Sequence, residues 1–253
     1  MTVNPYRPGH FVWHDLMSTD VAKSLAFYGE VFGWTTESMQ FVGSDETHTL
    51  VKAGEQVVAA VMKVAMPSML PFWAGYISVD DVDATAKRVT AAGGKVLHGP
   101  SDVPGLGRYA FLKDPTGAVV HAWKGLGGDG PRREKPGVGE FCWEHLNTTD
   151  PAKAAAFYAV VFGWTTEPSV LDERIVEYAA GAVQVASSMQ APPEVPAHWL
   201  SYVVVDSRAD ALARASQNGG SVMVESIIVT GLGTLAVIQD NVGAVLGLFE
   251  ATA

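Results

Sequence analysis

Two side chains capable of acid–base chemistry occupy equivalent positions in a stretch that the chain contains twice. The copies cover residues 13–37 and 143–167, each begins with tryptophan, and both end in FGWTTE. Asp15 and His145 lie two residues after the opening tryptophan. A buried carboxylate or imidazole must be paired or have a shifted pKa, so both residues are candidates for proton transfer. Hydrogen bonding to backbone N–H groups is an equally good interpretation of Asp15.

The elements that position these residues are predicted to be strands followed by capped helices. Residues 11–17 favour a strand, and Asp20 follows as a helix cap that accepts from free backbone N–H groups. Gly33 ends that helix in a left-handed conformation. The same order recurs along the chain, with Asp206 predicted to cap the last helix and residues 99–107 predicted to form a loop. Each half therefore reads as β-α-β-β-β written twice.

The repeat predicts two domains, residues 1–124 and 140–253. Residues 125–139 between them are rich in Gly, Pro and charge, which is typical of a linker. An internal repeat of this length requires its units to pair into continuous sheets. Two halves in one chain supply the pairing that single-domain proteins obtain by dimerising, so we expect a monomer or a weak homodimer.

Three motifs in the same order in each half resemble the vicinal oxygen chelate superfamily. They are the F-Y-x-x-V-F-G-W run after a capped helix, a Gly-Gly pair before a strand, and a turn near the end of the half. The turn reads D-P-x-G in the first half and D-N-x-G in the second. This superfamily contains glyoxalase I, fosfomycin- and bleomycin-resistance proteins and extradiol dioxygenases. The chain is most similar to two-domain, glyoxalase-like members that are often labelled hydroxylases. The resemblance implies an α+β fold in which paired βαβββ units form a curved sheet around a cup, giving a first cup and a second cup.

The resemblance also implies four metal-ligand positions in each cup, usually His, Glu or Gln. One position lies in a hairpin that has no His or carboxylate in either half. The others fall on Trp13, Ala74 and His121 in the first half and on Trp143, Leu200 and Gly247 in the second. A divalent ion needs several converging N or O donors, so we expect that the family metal is lost and that there is no other cofactor. The alternative is a relocated site that uses His14, Asp15, His121, His145 or His198.

Aromatic side chains stand where the metal would be. Residues two apart in a strand share a face, so Asp15 faces the first cup if Trp13 does, while His14 and Glu144 face away. Apolar walls with a few polar groups are typical of small-molecule sites, and indole and phenol faces suit a flat ligand. The alternative to ligand binding is that the two tryptophans fill cups that have no function. The predicted lining is Trp13, Asp15, Tyr76, His121 and Trp123 in the first cup, and Trp143, His145, Tyr202 and Phe249 in the second, where Gly247 is expected to leave more room.

These residues predict a metal-independent enzyme that acts on a small aromatic or carbonyl compound. His121 or His145, poised near neutral pH, would transfer protons with Asp15 as partner or second base. Tyr76 and Tyr202 would donate hydrogen bonds to a developing enolate. Isomerisation, lyase chemistry, hydration and cofactor-assisted hydroxylation all fit. The alternatives are a non-catalytic binding or resistance protein, in which His121 is a core residue, and a metal-dependent lyase or dioxygenase.

Composition limits the partners and the compartment. The net charge of −10 argues against a nucleic-acid partner, because phosphate binding needs a cationic surface. The apolar run at residues 57–62 is too short to cross a bilayer. Cys142 is the only cysteine, which fits a reducing compartment, and the first ten residues lack a signal-peptide pattern. We therefore expect a cytoplasmic protein whose partner is a small molecule, with no nucleic acid and no membrane.

Overall fold

A computed structural model describes residues 5–40, 47–64, 69–130 and 135–252 of the chain. Within these residues each half forms one eight-stranded sheet and two helices, which confirms the α+β fold. The first half contains β1 (Phe11–Ser18), α1 (Val21–Phe32), β2 (Thr35–Gln40), β3 (Thr47–Ala53), β4 (Gln56–Lys63), β5 (Phe72–Ser78), α2 (Val82–Ala91), β6 (Lys95–Val103), β7 (Gly107–Lys113) and β8 (Val119–Gly125). The second contains β9 (Phe141–Thr148), α3 (Pro151–Phe162), β10 (Thr165–Pro168), β11 (Val176–Ala180), β12 (Val183–Gln190), β13 (His198–Val204), α4 (Arg208–Gln217), β14 (Ser221–Val229), β15 (Gly233–Gln239) and β16 (Val245–Ala251).

The centre of each sheet is formed by the first strands of its two βαβββ units. The strand order is β2-β3-β4-β1-β5-β8-β7-β6 in the first half and β10-β11-β12-β9-β13-β16-β15-β14 in the second. β1 is antiparallel to β5, whereas β1 is parallel to β4 and β5 is parallel to β8. This pairing aligns Trp13, Tyr76 and His121 in one row across three strands. The curved sheets therefore bring the predicted lining residues together on one face.

The helix ends follow the predicted cap chemistry at the start of each half. The Asp20 side chain accepts a hydrogen bond from the Lys23 N–H at 3.1 Å, and Gly33 ends α1 at φ 69°. The prediction that Asp206 caps α4 is wrong. The cap is Ser207, whose hydroxyl accepts from the Asp210 N–H at 3.2 Å, because the helix begins one residue later than the aspartate would require.

The prediction that residues 99–107 form a loop is wrong for residues 99–103, whereas residues 104–106 form a turn. β6 continues to Val103, with register shifts against β7 between Val96 and His98 and between His98 and Ser101. β6 lies at the edge of its sheet, where the missing N–H of a proline need not leave a carbonyl of a neighbouring strand without a donor. Bulges accommodate the irregular residues. The turn-forming residues in this stretch therefore interrupt the ladder locally and do not end the strand.

The hydrophobic core is shared between the halves. α1 packs on α4, and α2 packs on α3, so each helix contacts a helix of the other half. One buried cluster joins Phe27 and Val31 of α1 to Leu212 of α4, together with residues from both sheets. The Arg214 guanidinium donates to the Val31 carbonyl at 3.1 Å and Arg88 donates to the Val161 carbonyl at 3.0 Å, so the two helix pairs are linked in the same way.

Two tryptophans on the convex faces of the sheets pack against helices. The Trp73 indole donates to the Tyr28 hydroxyl of α1 at 2.9 Å, and Trp199 donates to the Tyr158 hydroxyl of α3 at the same distance. Because successive residues of a strand point to opposite faces, Trp73 and Trp199 lie on the face away from Ala74 and Leu200, and both rings belong to the core between the sheets. Among the described residues, no helix is long and apolar enough to span a membrane.

Candidate functional site

The first cup is built around the carboxyl group of Asp15. The Trp13 indole N–H donates to Asp15 Oδ1 at 2.8 Å, and the Tyr76 hydroxyl forms a second hydrogen bond to the same carboxyl group. Asp15 lies on β1 between β4 and β5, opposite Ala60 and Ala74, whose small side chains leave space over the sheet. The partners of Asp15 are thus two aromatic side chains, in contrast to the backbone N–H groups considered from the sequence.

Burial controls the proton affinity of this pair. It raises the pKa of Asp15 above its ordinary value of 3.8, and the hydrogen bonds from Tyr76 and Trp13 oppose part of that change. Burial, together with the nearby Asp15 carboxylate, raises the pKa of Tyr76 well above its ordinary value. Tyr76 therefore remains a protonated donor, and Asp15 is a stronger base than an exposed aspartate.

His121 is buried beside this pair and is neutral. Its ring stacks on Tyr76 with centroids 4.7 Å apart, and the Phe111 ring meets its edge at 4.2 Å. Nδ1 donates to the Gly75 carbonyl at 3.3 Å, because a carbonyl only accepts, so Nε2 carries the lone pair. Nε2 has no hydrogen-bond partner within the described part of the chain. Burial lowers the pKa of His121 to about 4, so the expectation that it titrates near neutral pH is wrong.

The aromatic wall of the first cup is larger than the sequence analysis predicted. Tyr109 lies opposite Trp123 and Phe111 lies opposite His121, so β7 adds two rings to the row. The Tyr76 ring meets Trp123 edge to face with centroids 6.4 Å apart. The alternation of side chains along residues 107–113 carried this signal, but the family's ligand positions do not include this strand.

The second cup holds a hydrogen-bonded chain in place of a carboxylate. The Trp143 indole N–H donates to Ser187 Oγ at 2.9 Å, and the same oxygen lies 2.8 Å from His145 Nδ1. Ser187 lies opposite His145 in the parallel ladder of β12 and β9. The family's ligand positions do not single out Ser187, because serine is not one of the residue types that they usually contain. Burial and, secondarily, electrostatic repulsion from His198 lower the pKa of His145 to about 4, so this imidazole also does not titrate near neutral pH.

The expected extra room beside Gly247 is taken up by Tyr202. A Cβ atom on Gly247 would lie 2.2 Å from Cδ1 of the Tyr202 ring, so the ring covers the position that His121 occupies in the first half. Tyr202 packs with Leu200, Val237 and Trp143 in a small cluster on this face. The prediction of a roomier second cup is therefore wrong, because the neighbouring ring fills the volume that the missing side chain frees.

Between the halves lies a cleft of about 390 Å³, whose walls include Trp13 and Trp143. Its buried ionisable pair is His14 and Glu144, whose Nε2 and Oε1 atoms are 2.7 Å apart. The second carboxylate oxygen accepts from the Ser201 hydroxyl at 2.8 Å. Both residues face away from the cups, as the strand alternation predicts, and both oxygens are satisfied within the protein. The polar groups of this cleft are thus paired with each other, and the cups remain the candidate site.

Comparison with known proteins identifies the family. The family model described as the Glyoxalase/Bleomycin resistance protein/Dioxygenase superfamily matches residues 7–122. CFP32 of Mycobacterium tuberculosis, whose name assigns it provisionally to the glyoxylases, is 33% identical over 97% of this chain and 96% of its own. The chain belongs to the glyoxalase superfamily. The anthracycline biosynthesis protein DauV of a Streptomyces species is 31% identical over 97% of this chain and 94% of its own.

Two solved structures share the fold at low sequence identity. The 2,3-dioxygenase LapB from Pseudomonas sp. KL28 has a TM-score of 0.64 at 13% identity, covering 100% of this chain and 94% of its own. The Mn(II)-bound glyoxalase from Novosphingobium aromaticivorans has a TM-score of 0.61 at 18% identity, covering 96% of this chain and 82% of its own. Identities this low support the two-cup architecture and carry no residue roles.

The residues at the superfamily's metal positions do not fit a metal ion. In the first cup, Trp13 and Ala74 supply no donor, which leaves His121, and its Nδ1 is bound to a backbone carbonyl. In the part of the chain that the structure describes, no three His, Cys, Asp or Glu side chains are grouped so that they could hold an ion. Residues 41–46, which include two carboxylates, lie outside it. We derive no chemistry through a metal.

Proposed function

We propose that the protein is a metal-independent enzyme that binds a small aromatic or carbonyl compound in the first cup and moves a proton with Asp15. The observation that carries this proposal is a buried carboxyl group held by Trp13 and Tyr76 on an aromatic-walled face. A carboxylate whose pKa is raised toward the working pH is a more effective general base than an exposed one. Two curated relatives are named anthracycline biosynthesis proteins, and anthracyclines are flat, oxygenated aromatic compounds.

The proton step follows from the hydrogen bonds of the pair. The Asp15 carboxylate removes a proton from the carbon next to a ligand carbonyl, and the electron pair of the C–H bond forms an enolate. Once Asp15 is protonated, it no longer requires the Tyr76 hydrogen bond, so that hydroxyl is free to donate to the enolate oxygen. Return of the proton to a different carbon gives isomerisation, and loss of a neighbouring group gives lyase chemistry. The His121 Nε2 lone pair accepts from a ligand hydroxyl and orients the ring.

Hydrogen–deuterium exchange tests the step without knowledge of the natural substrate. The probe is 1-indanone in D₂O, and loss of the signal from its exchangeable protons is followed by ¹H NMR. The wild-type protein is expected to accelerate exchange above the buffer rate, and Asp15→Asn is expected to return it to that rate. Tyr76→Phe is expected to slow exchange by about 10²-fold, the usual cost of one donor to an oxyanion. Asp80→Asn, an exposed carboxylate of the same half, is the matched control and should exchange normally.

Two results would contradict the proposal. Exchange that persists in Asp15→Asn would remove the base from the mechanism. Exchange that requires a stoichiometric transition metal, lost on chelation and restored by the ion, would remove metal independence. Metal analysis of the purified protein accompanies the assay for this reason.

Non-catalytic ligand binding is the second candidate function, and the neutral histidines favour it. With the pKa of His121 and of His145 lowered to about 4, neither imidazole changes its charge near neutral pH. His121→Ala separates the candidates. A binding protein would bind aromatic probes with altered affinity and show no exchange in wild type or variant, whereas an enzyme would retain binding and lose rate.

A further inference from the structure

The hydrogen-bond chain of the second cup has a fixed direction. An indole N–H only donates, so the Ser187 oxygen accepts from Trp143. The Ser187 hydroxyl hydrogen then needs an acceptor, and within the described residues the neighbour that can serve is His145 Nδ1 at 2.8 Å. The opposite direction would leave a buried hydroxyl hydrogen unpaired, which costs about 1–3 kcal/mol. His145 Nδ1 therefore accepts, and its proton resides on Nε2.

This arrangement presents a neutral donor at the surface of the second cup. His145 lies opposite Ser187 and Leu200 in the sheet, on the same face as Trp143 and Tyr202. Its Nε2–H has no hydrogen-bond partner among the residues that the structure describes. Since burial lowers the pKa of the imidazole to about 4, the ring stays uncharged at neutral pH and attracts acceptors without attracting anions in particular.

A second hydrogen-bonded pair beside it is fixed in the same way. His198 Nδ1 donates to the Pro196 carbonyl at 2.8 Å, so its Nε2 accepts from the Asn147 side-chain amide at 3.3 Å. The Asn147 amide is thereby turned with its nitrogen toward His198. The Asn147 and His198 side chains are therefore fixed by each other, whereas His145 Nε2–H and the Tyr202 hydroxyl are donors for which the described residues supply no acceptor.

The two cups consequently have opposite hydrogen-bond character. The first cup offers acceptors, namely the Asp15 carboxylate and the His121 Nε2 lone pair. The second offers a donor flanked by the Trp143 indole and the Tyr202 ring. Asp15 and His145, which occupy equivalent positions of the repeat, therefore differ in hydrogen-bond character: the carboxylate accepts and the imidazole Nε2–H donates.

We propose that the second cup is a separate binding site for an uncharged, carbonyl-bearing aromatic compound, whose oxygen accepts from His145 Nε2–H while its ring packs on Trp143. A ketone or quinone oxygen fits this donor, and an apolar pocket wall suits the attached ring. The site is distinct from the proton-transfer residues of the first cup. Its failure and the failure of the proposed reaction are therefore separately observable.

The test compares two probes of nearly equal shape, 2-acetylnaphthalene and 2-ethylnaphthalene, which differ in the carbonyl oxygen. Their dissociation constants are measured by ¹H–¹⁵N NMR titration, following the Trp143 indole signal. In His145→Phe, which keeps a flat ring, the preference for the ketone is expected to fall by about tenfold, the value of one neutral hydrogen bond. Ser187→Ala keeps His145 and is expected to lose part of the preference, because the tautomer is no longer fixed.

The second readout is the ¹⁵N NMR signature of the His145 imidazole, which reports the ring nitrogen that carries the proton. A structural change alone would not alter it. Wild-type His145 is expected to carry its proton on Nε2, and a proton on Nδ1 would refute the proposal. His98→Phe in the first half is the matched control and should leave the ketone preference unchanged. An unchanged preference in His145→Phe, or the absence of saturable binding near Trp143, would also refute it. Retained 1-indanone exchange in His145→Phe would show that the proposed reaction does not depend on this site.

Discussion

The buried imidazole of His121 makes the stability of the fold depend on pH in a predictable direction. Below pH 6.5 the unfolded chain takes up a proton at this residue, whereas the folded chain does so only near pH 4, because burial lowers the pKa. The unfolded state therefore binds more protons in this window, and the free energy of unfolding falls as the pH falls through it. Above pH 6.5 and below about pH 4 this residue adds no further pH dependence.

The size of the effect follows from the displacement of the pKa. A change from 6.5 to about 4 corresponds to about 3 kcal/mol, at about 1.4 kcal/mol for each factor of ten in proton affinity. His121→Phe keeps a flat ring between Tyr76 and Phe111 but removes the titrating group. Between pH 7 and pH 4 the free energy of unfolding falls in both proteins. The fall is expected to be about 3 kcal/mol smaller in His121→Phe than in the wild type.

Urea denaturation at several pH values between 7 and 4, followed by tryptophan fluorescence, measures the free energy of unfolding of the wild type and of His121→Phe as a function of pH. Leu212→Ala is the control, because it loosens the core at α4 without changing the rings around His121 and should lower stability about equally at every pH. Parallel curves for wild type and His121→Phe would refute the reasoning, since they would mean that the folded and unfolded imidazoles have the same proton affinity. His145 contributes in the same direction in both proteins and cancels from the comparison.

Three further predictions concern single contacts. Asp15→Asn is expected to raise the midpoint of thermal unfolding at pH 8, because the folded state disfavours the ionised carboxylate; a lower midpoint would contradict the raised pKa. Glu144→Leu is expected to cost about 1–3 kcal/mol, because the buried His14 ring loses its hydrogen-bond partner, and adding His14→Leu should recover much of the loss in denaturant titrations; additive losses would show that the pair is not coupled. Gly247→Ala is expected to cost about 1–3 kcal/mol by displacing the Tyr202 ring, whereas in a Tyr202→Ala background the same change should cost less.

Strand alternation and turn chemistry predicted much of the fold. The repeated segment, the caps at Asp20 and Gly33 and the parity of Trp73 depend on local spacing that is visible in the sequence, and the structure agrees with each. The errors at residues 99–103 and at Asp206 arose where tertiary context overrides local signals. An edge strand tolerates residues that would end a central strand, and a neighbouring serine served as the cap instead.

The candidate site was predictable in its membership but not in its electrostatics. Parity placed Asp15 and Tyr76 on one face, yet their mutual hydrogen bond depends on register between β1 and β5. The pKa of His121 depends on burial by rings from β5 and β7, which no local pattern reports. Ser187 was missed because a hydroxyl gains its role only from the indole and imidazole that approach it.

The pairing of each helix with a helix of the opposite half changes what the duplication means. The two large buried clusters each contain residues from both copies of the repeat, so neither copy forms its main core alone. Cleavage of the backbone between the copies would leave two fragments that remain associated through the shared core. Removal of one copy would expose the core residues of the other to solvent. The two copies of the repeat are interlocked, so a substitution on the packing surface of one copy has to be accommodated by the other copy.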